Sequence, residues 1–580
     1  MRDAELEMTA QEERAGKDTG HGRTQDPEKV WDQYERGVQF KSRLNLYETV
    51  KVNEDFYLGK QWEGVNSNGL PTPVFNYIKR IVLYLVASTA TDSLKINASP
   101  LSSTGRQATK DIEQLCGIVN EQFEAVYEQT KMGKLVREFM RAAAVDGDSC
   151  IYSWFDPDVE TGQEAKGAIR TEVLENTRVI FGNPNSCNVQ SQPYIIVSRR
   201  ELMRDVKDEV KAAGGDPDEV RSDSDEAGDR FDSMTDGKVT TLMKFWKNKE
   251  TGTVWAVKTV HGAAVRKEWD TGQKLYPIAW MSWDKVTNCY HGQAAVTGLI
   301  PNQVFVNKMF AMTMISLMTT AYPKVIYDKT RIARWDSGVG KAIGVDLGSG
   351  SINDVAKTID PATISPQVSQ FIELAISLTK EFMGATDAAL GNTRPDNTSA
   401  IIALQKASQV PMELTRQDLL QCIEDVGNIW IDLMRVYYGQ RYVKLPLNEE
   451  QKAALEHIGM SVDEDIPTLF DFGTLEQTPL SIKLDVGGSA YWSEIAQMNT
   501  LDNLLMNGKI GIVEYLERVP SGYISNQQEL IEAVKQREAM AMLPQGGGGP
   551  IRAGTGEADI DPRLVTGEQI LQRKMQEQGM

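Results

Sequence analysis

The stretch VTGLIPNQVFVNKMFAMTMISLMTT, Val296–Thr320, holds a single charge, Lys308, and carries apolar side chains on nearly every face. Pro301 stands near its start, where a helix tolerates proline, and Pro323 ends it. Polar relief in the second half is limited to Thr313, Ser316, Thr319 and Thr320. Asn302, Gln303, Asn307 and Lys308 make the first half too polar for a bilayer span. A helix apolar all round must be buried, either inside one large core or between copies of the chain.

Downstream of this helix, mixed β sequence and glycine-rich turns include Gly338-Val339-Gly340 and Gly348-Ser349-Gly350-Ser351. Ser365-Pro366 then opens a second helix, with Ser as N-cap and Pro at the first helical position. Its apolar stripe is Val368, Phe371, Ile372, Ala375, Leu378 and Phe382. Two helices thus bracket a compact β insertion, the pattern of a projection with a small module at its tip. A polar loop, Gly391–Thr398, leads into a helix over Ser399–Tyr438 that should kink at Pro411. Ser481–Val486 alternates as a strand, and Trp492–Met542 reads as two or three helices. Gly508 would stop the first of these, and Ser525 with Gln528 has capping-box spacing for the last.

Upstream, Trp31–Tyr57 is an amphipathic helical run and Asn66–Pro71 breaks the pattern. Asn76–Ala87 reads as a buried helix. Arg106–Ala144 is a long helical pattern, with Ile112, Cys116, Val119, Phe123 and Val126 on one face. From about Cys150 to Met281 the signal turns to short β runs: Ile151–Phe155, Arg178–Phe181, Tyr194–Ser198, Val239–Trp246 and Thr253–Val257. The acidic segment Gly214–Asp236 reads as a solvated loop. An α+β body is the economical fold class.

Sixty-two Lys and Arg against eighty-one Asp and Glu leave a net charge of −19. That balance argues against a free, non-specific nucleic-acid binder, which needs a basic face. It permits a passage through which DNA slides without sticking. Cys116, Cys150, Cys187, Cys289 and Cys422 stand far apart, with no CxxC pair, which fits a reducing compartment. The first thirty residues have no apolar core of a secretory signal, so a cytosolic, soluble chain is expected. His21, His261, His291 and His457 show no metal-ligand spacing. Gly338-Val339-Gly340-Lys341-Ala342 misses a phosphate loop, having Trp335 where the first Gly belongs and Ala342 where Ser or Thr belongs. No GxSxG elbow occurs. Asp463-Glu464-Asp465 could hold magnesium for nuclease work, or be an exposed acidic turn. No cofactor or metal is expected.

Four further segments carry a family resemblance. These are Tyr57-Leu58-Gly59-Lys60-Gln61-Trp62, Asn76-Tyr77-Ile78-Lys79-Arg80-Ile81-Val82, Gly292-Gln293-Ala294 through Gln303 and Asn307-Lys308, and Ser399-Ala400-Ile401-Ile402-Ala403-Leu404. Their order and spacing resemble the portal proteins of tailed bacteriophages, although Ala400 replaces a usual glycine. The resemblance implies an α+β portal fold assembled as a ring, with a wing, a two-helix stem, a small β-containing clip and a helical crown. Laid on this chain, it divides 1–30 as a mobile arm, 31–290 as the first part of the wing and 291–322 as a stem helix. The clip would be 323–364, the second stem helix 365–385 and the tunnel loop 386–398. Residues 399–490 would be the kinked helix and returning wing, 491–543 the crown and 544–580 a flexible tail.

The resemblance also implies a non-enzymatic role in the virion, at one capsid vertex, after assembly in the host cytoplasm. A ring of twelve copies would conduct double-stranded DNA during packaging and ejection. It would dock the terminase large subunit, then a head–tail adaptor, beside the major capsid protein, with no membrane involved. Asn392, Thr393, Arg394, Asp396 and Asn397 would face the DNA. Lys308, Thr313, Ser316, Thr320, Phe371 and Leu378 would belong to stem packing, where the small Ser316 suits a close neighbour. Lys329, Arg331, Arg334, Trp335 and Lys341 would form a docking face on the clip, an ordinary solvated tip being the alternative. Two other readings are a metal-dependent DNA-processing nuclease and another head–tail protein of the virion.

Overall fold

The computed structural model describes residues 25–486 apart from 91–93, 101–105, 224–236, 322–324, 359–366, 383–411, 445–466 and short stretches between 333 and 349 and elsewhere, and then parts of 501–535. Two compact units divide the chain, residues 1–489 and residues 490–580. The fold is mixed α+β.

The first unit opens with helix α1 (Pro27–Arg43). The Asp26 side chain accepts from Glu28 N, and Pro27 fills the first turn, where its missing N–H costs nothing. The amphipathic run over 31–57 is two helices rather than one. Asn45 adopts φ 55°, which asparagine tolerates better than most residues, and α2 (Leu46–Leu58) starts afresh. The run over 106–144 divides in the same way. Lys131, at φ 53°, separates α4 (Arg106–Gln129) from α5 (Met132–Asp146). Between these pairs lies α3 (Tyr77–Thr89), capped by Asn76, whose side chain accepts from Lys79 N. Ile78, Ile81, Val82 and Leu85 make its buried face.

The main core gathers α3, α5 and α10 (Glu413–Tyr437) against two small sheets. Val136, Phe139, Met140 and Ala143 share it with Leu419, Ile423, Val426, Trp430 and Leu433. Strand β1 (Leu94–Pro100) pairs antiparallel with β14 (Leu480–Val486), Leu94 opposite Val486. Gly427 lets α10 approach this pair, since a Cβ there would come within 3.0 Å of Ile96 and 3.1 Å of Ile482.

A three-stranded antiparallel sheet has the order β3 (Ala168–Leu174), β2 (Asp148–Asp156), β9 (Ile278–Ser282). A five-stranded antiparallel sheet runs β4 (Val179–Phe181), β5 (Ile195–Leu202), β6 (Lys238–Lys247), β7 (Val254–Val260), β8 (Ala263–Asp270). All five β runs read in the sequence are strands. No sequence signal was read for β1, β3, β8, β9, the helix α6 (Met203–Ala212), or the two strands at Gln440–Lys444 and Pro467–Asp471.

Helix α7 (Ala295–Ala321) exceeds the expected helix by one residue at each end, and Pro301 lies inside it. After it, β10 (Val325–Tyr327) pairs antiparallel with β11 (Ala356–Thr358), closing a small insertion at its base. Just before β11, the short α8 (Ile352–Val355) is capped at Ser351, which accepts from Asn353 N while Asp354 accepts from Ser351 N. Helix α9 (Gln367–Phe382) follows. The Ser365-Pro366 start signal lies outside the described residues, as do the kink at Pro411 and the loop before it. Strand β12 (Gln440–Lys444), directly after α10, pairs with β13 (Pro467–Asp471).

In the second unit, residues 501–506 are helical and α11 (Ile512–Arg518) follows. Tyr515 Oη donates to Asp502 Oδ1 at 2.7 Å, joining the two. Gly508 and the Ser525–Gln528 capping signal fall outside the described residues.

Candidate subunit interface and the polar node at its root

Helix α7 changes character along its length. In the first half Val296, Leu299, Gln303, Val306 and Asn307 are buried by the body of the chain. In the second half Met312, Leu317 and Met318 are 58%, 58% and 54% exposed, and Met314 is also exposed. The chain therefore does not bury this apolar helix throughout.

Helix α9 lies along α7. Asn302 Nδ2 donates to Thr379 Oγ1 at 3.2 Å, and the rings of Phe305 and Phe371 meet edge to face at 6.0 Å. Ile372 and Thr379 are the buried face of α9, whereas Phe371, Leu374 and Leu378 are exposed. At roughly 100° per residue, Phe310, Met314, Leu317 and Met318 fall on one side of α7. Asn302 and Phe305, the residues in contact with α9, fall elsewhere on the helix. The helix pair thus offers apolar surface on two different sides, one on α7 and one on α9. Of the remaining stem residues, Lys308 is exposed and Ser316 half-buried. Thr313 Oγ1 donates to Met309 O and Thr320 Oγ1 to Ser316 O, so both hydroxyls are turned back onto the helix.

The buried amides of α7 have partners in the loop between α2 and α3. Gln303 Nε2 donates to Phe75 O at 2.9 Å and to Asn307 Oδ1 at 3.0 Å. Asn307 Nδ2 donates to Gln61 Oε1 at 2.6 Å, and Gln61 Nε2 to Phe56 O at 3.0 Å. Asn76 Nδ2 reaches Tyr57 O at 2.9 Å, and Trp62 Nε1 reaches Pro73 O at 2.9 Å. Three separate motif segments meet here in one hydrogen-bonded node. No role for Gln61, Gln303 or Asn307 was assigned from the sequence. The available signal was the presence of uncharged amides in an otherwise apolar helix, since buried amides need partners. Asn53 adds a further tie, donating to Val145 O at 2.8 Å and to Thr297 Oγ1 at 2.9 Å.

The linker entering α7 is anchored by a second buried group. Asp148, fully buried, accepts from Gly292 N at 2.7 Å and lies 2.8 Å from His291 Nδ1. Gly147 sits at φ +98° beneath this linker, where a Cβ would come within 3.1 Å of Gly292 O. Burial pushes the His291 imidazole below its ordinary range, partly offset by the bond to Asp148. Nearby, the fully buried Lys41 donates from Nζ to Asn176 O, Thr177 O and Val179 O at 2.8, 2.8 and 2.7 Å. Burial draws its amine down to about 7, against the pull of Asp148. Three acceptors call for all three ammonium hydrogens, so the geometry favours the charged form.

At the tip of the insertion Lys329 and Arg334 are exposed, and Arg331 lies 3.6 Å from Asp328. Trp335 stacks on Tyr327 at 5.6 Å. Lys341 lies outside the described residues, as do Asn392, Thr393, Arg394, Asp396, Asn397 and the acidic run Asp463–Asp465. Among the described residues no group of three His, Cys, Asp or Glu is placed to hold a metal. No helix among them is long and apolar enough to cross a membrane.

The helix pair α7 and α9 thus brackets a small β insertion and keeps exposed apolar side chains on both helices. Residues 266–468 match the family model of the phage P22-like portal protein, a span that takes in α7, the insertion, α9 and α10. The likeness to tailed-phage portal proteins read from the sequence is thereby shown. No curated protein matches the chain.

Proposed function

We propose that the chain is the subunit of a ring-shaped portal in a tailed-phage head, a structural component of the virion that conducts DNA and catalyses nothing. The observation that carries this reading is the pair of apolar surfaces on different sides of α7 and α9. A two-fold dimer uses one self-complementary patch, whereas head-to-tail contact uses two distinct patches and forms a ring when its rotation closes. In this reading residues 31–290 and 399–490 form the wing and α7 and α9 the stem. The insertion 323–364 is the clip, 386–398 the tunnel loop and 491–543 the crown. Twelve copies would surround double-stranded DNA, with Lys329, Arg331, Arg334, Trp335 and Lys341 facing the terminase and later a head–tail adaptor. The major capsid protein would surround the wing. An acidic chain with a charge-poor stem suits such a passage, because tight pairing with phosphates would add a barrier at every step.

Negative-stain microscopy of the purified chain tests the reading, together with incubation of plasmid DNA with magnesium. Rings with a central hole and intact plasmid support a portal. Monomers that cut DNA in a magnesium-dependent way would establish the nuclease alternative instead.

A further inference from the structure

The loop joining α2 to α3, residues 59–75, presents an unusual surface for a connection. Val65, Leu70, Val74 and Phe75 are exposed, with Leu58 and Leu83 exposed on the flanking helices. Solvent-facing loops are ordinarily polar, and a run of exposed apolar side chains marks a contact surface. The loop is also held firmly from behind. Gln61 and the carbonyl of Phe75 are tied to Asn307 and Gln303, and Trp62 bridges to Pro73. Leu70 N further closes a turn on Ser67 O. An apolar surface fixed in place beforehand loses little conformational freedom on binding.

Its continuation identifies its partner. Phe75 packs on Phe310 of α7 with ring centroids 4.1 Å apart. Phe310, Met314 and Leu317 follow one another at helical spacing on the side of α7 away from α9. The loop therefore prolongs that face and not the α9 face. Charge agrees with this pairing. Lys60, Lys79 and Arg80 are exposed at the two ends of the loop, and α9 carries exposed Glu373 and Glu381 beside Leu374 and Leu378.

We infer that residues 59–75 are a second part of the contact between copies, with Leu70, Val74 and Phe75 seated against the α9 face of the adjacent copy. The inference rests on the ring reading above. It makes the node of Gln61, Gln303 and Asn307 a positioning device, since it fixes the loop and α7 as one surface. Body and stem would then engage a neighbour together.

The test uses the full chain with Cys187 and Cys289 replaced by serine, because these are the cysteines that are not buried. Leu70→Cys and Leu374→Cys are made separately, mixed one to one, assembled and treated with a short bis-maleimide. Cross-linked pairs in the mixture, and few in either variant alone, are expected of head-to-tail contact between these two surfaces. A second arm measures assembly of Leu70→Lys/Val74→Lys, whose thermal unfolding should match the parent because both side chains are exposed. Its assembly should require at least about tenfold more protein. Parent rings that form while the mixture does not cross-link and the lysine variant assembles normally would overturn the inference and leave the ring standing. A parent chain that forms no ring would remove both.

Discussion

Asn307 Nδ2 donates to Gln61 Oε1 at 2.6 Å across a separation of 246 residues, between two buried side chains. One amide belongs to the long apolar helix and the other to the loop between α2 and α3, so the bond ties these two elements together. Asn307→Ala leaves Gln61 Oε1 buried without that donor, which should cost about 1–3 kcal/mol of stability. Urea unfolding of the unassembled chain measures it. Unchanged stability would mean that the node does not hold these elements together.

The exposed side of α7 makes the opposite prediction. Leu317→Lys removes no contact buried within the chain, so its stability should stay within about 0.5 kcal/mol of the parent. Assembly should nevertheless fail, because a lysine repeated at each contact must be buried unpaired. Ser316→Arg should act in the same direction. Light scattering reads both, and normal rings from either variant would take α7 out of the interface.

His291 gives a pH dependence whose sign is fixed by its burial. Burial holds its native pKa below the ordinary imidazole value of 6.5, so below that pH the unfolded chain binds more protons than the native one. The stability due to neutral His291 is present above 6.5 and is lost as pH falls through the depressed native pKa. His291→Gln should remove this part of the acid sensitivity, seen as a flatter plot of Tm against pH below about 6.5. A parallel plot would place the acid sensitivity in other groups.

At the tip, Lys329→Glu/Arg334→Glu reverses two exposed charges and should leave folding and rings intact. Binding of the packaging motor to rings, followed by co-sedimentation, should weaken and should lose its salt dependence. Equal binding by parent and variant would make the tip an ordinary solvated surface.

Arg394 is the one base in the proposed tunnel loop. Arg394→Ala should keep rings and reduce DNA protected from nuclease in assembled heads, and Arg394→Glu should reduce it further, since repulsion repeats at every copy. Full packaging with both substitutions would move this loop away from the DNA.

The sequence and the structure agree best where side-chain periodicity alone sets an element. The β runs are of this kind, being short and β-branched, whereas α7 was legible from the length of its apolar run and not from any period. The breaks at Asn45 and Lys131 were not legible. Each is one residue in a left-handed conformation inside an unbroken amphipathic pattern, and neither is glycine or proline. Strand β9 was missed because its sequence, Ile278–Ser282, is short and mostly buried and so shows little alternation. For the site, the exposed α7 residues were read as apolar, but their exposure depends on where the body ends. Asp148 and His291, 143 residues apart, form a pair that no local spacing announces.

The pairing of β1 with β14 also governs when the protein can be finished. Ser99 Oγ donates to Ser481 O across 382 residues, so an early strand waits for its partner until most of the chain has left the ribosome. Contacts of such sequence separation form late and slowly. The apolar α7 and α9 emerge within that interval, before the body that carries them has closed. During this window the nascent chain exposes sticky surface without a completed shape to restrict its partners, which favours misassociation. A chain truncated before residue 480 would keep α7 and α9 but lack the strand that pairs with β1.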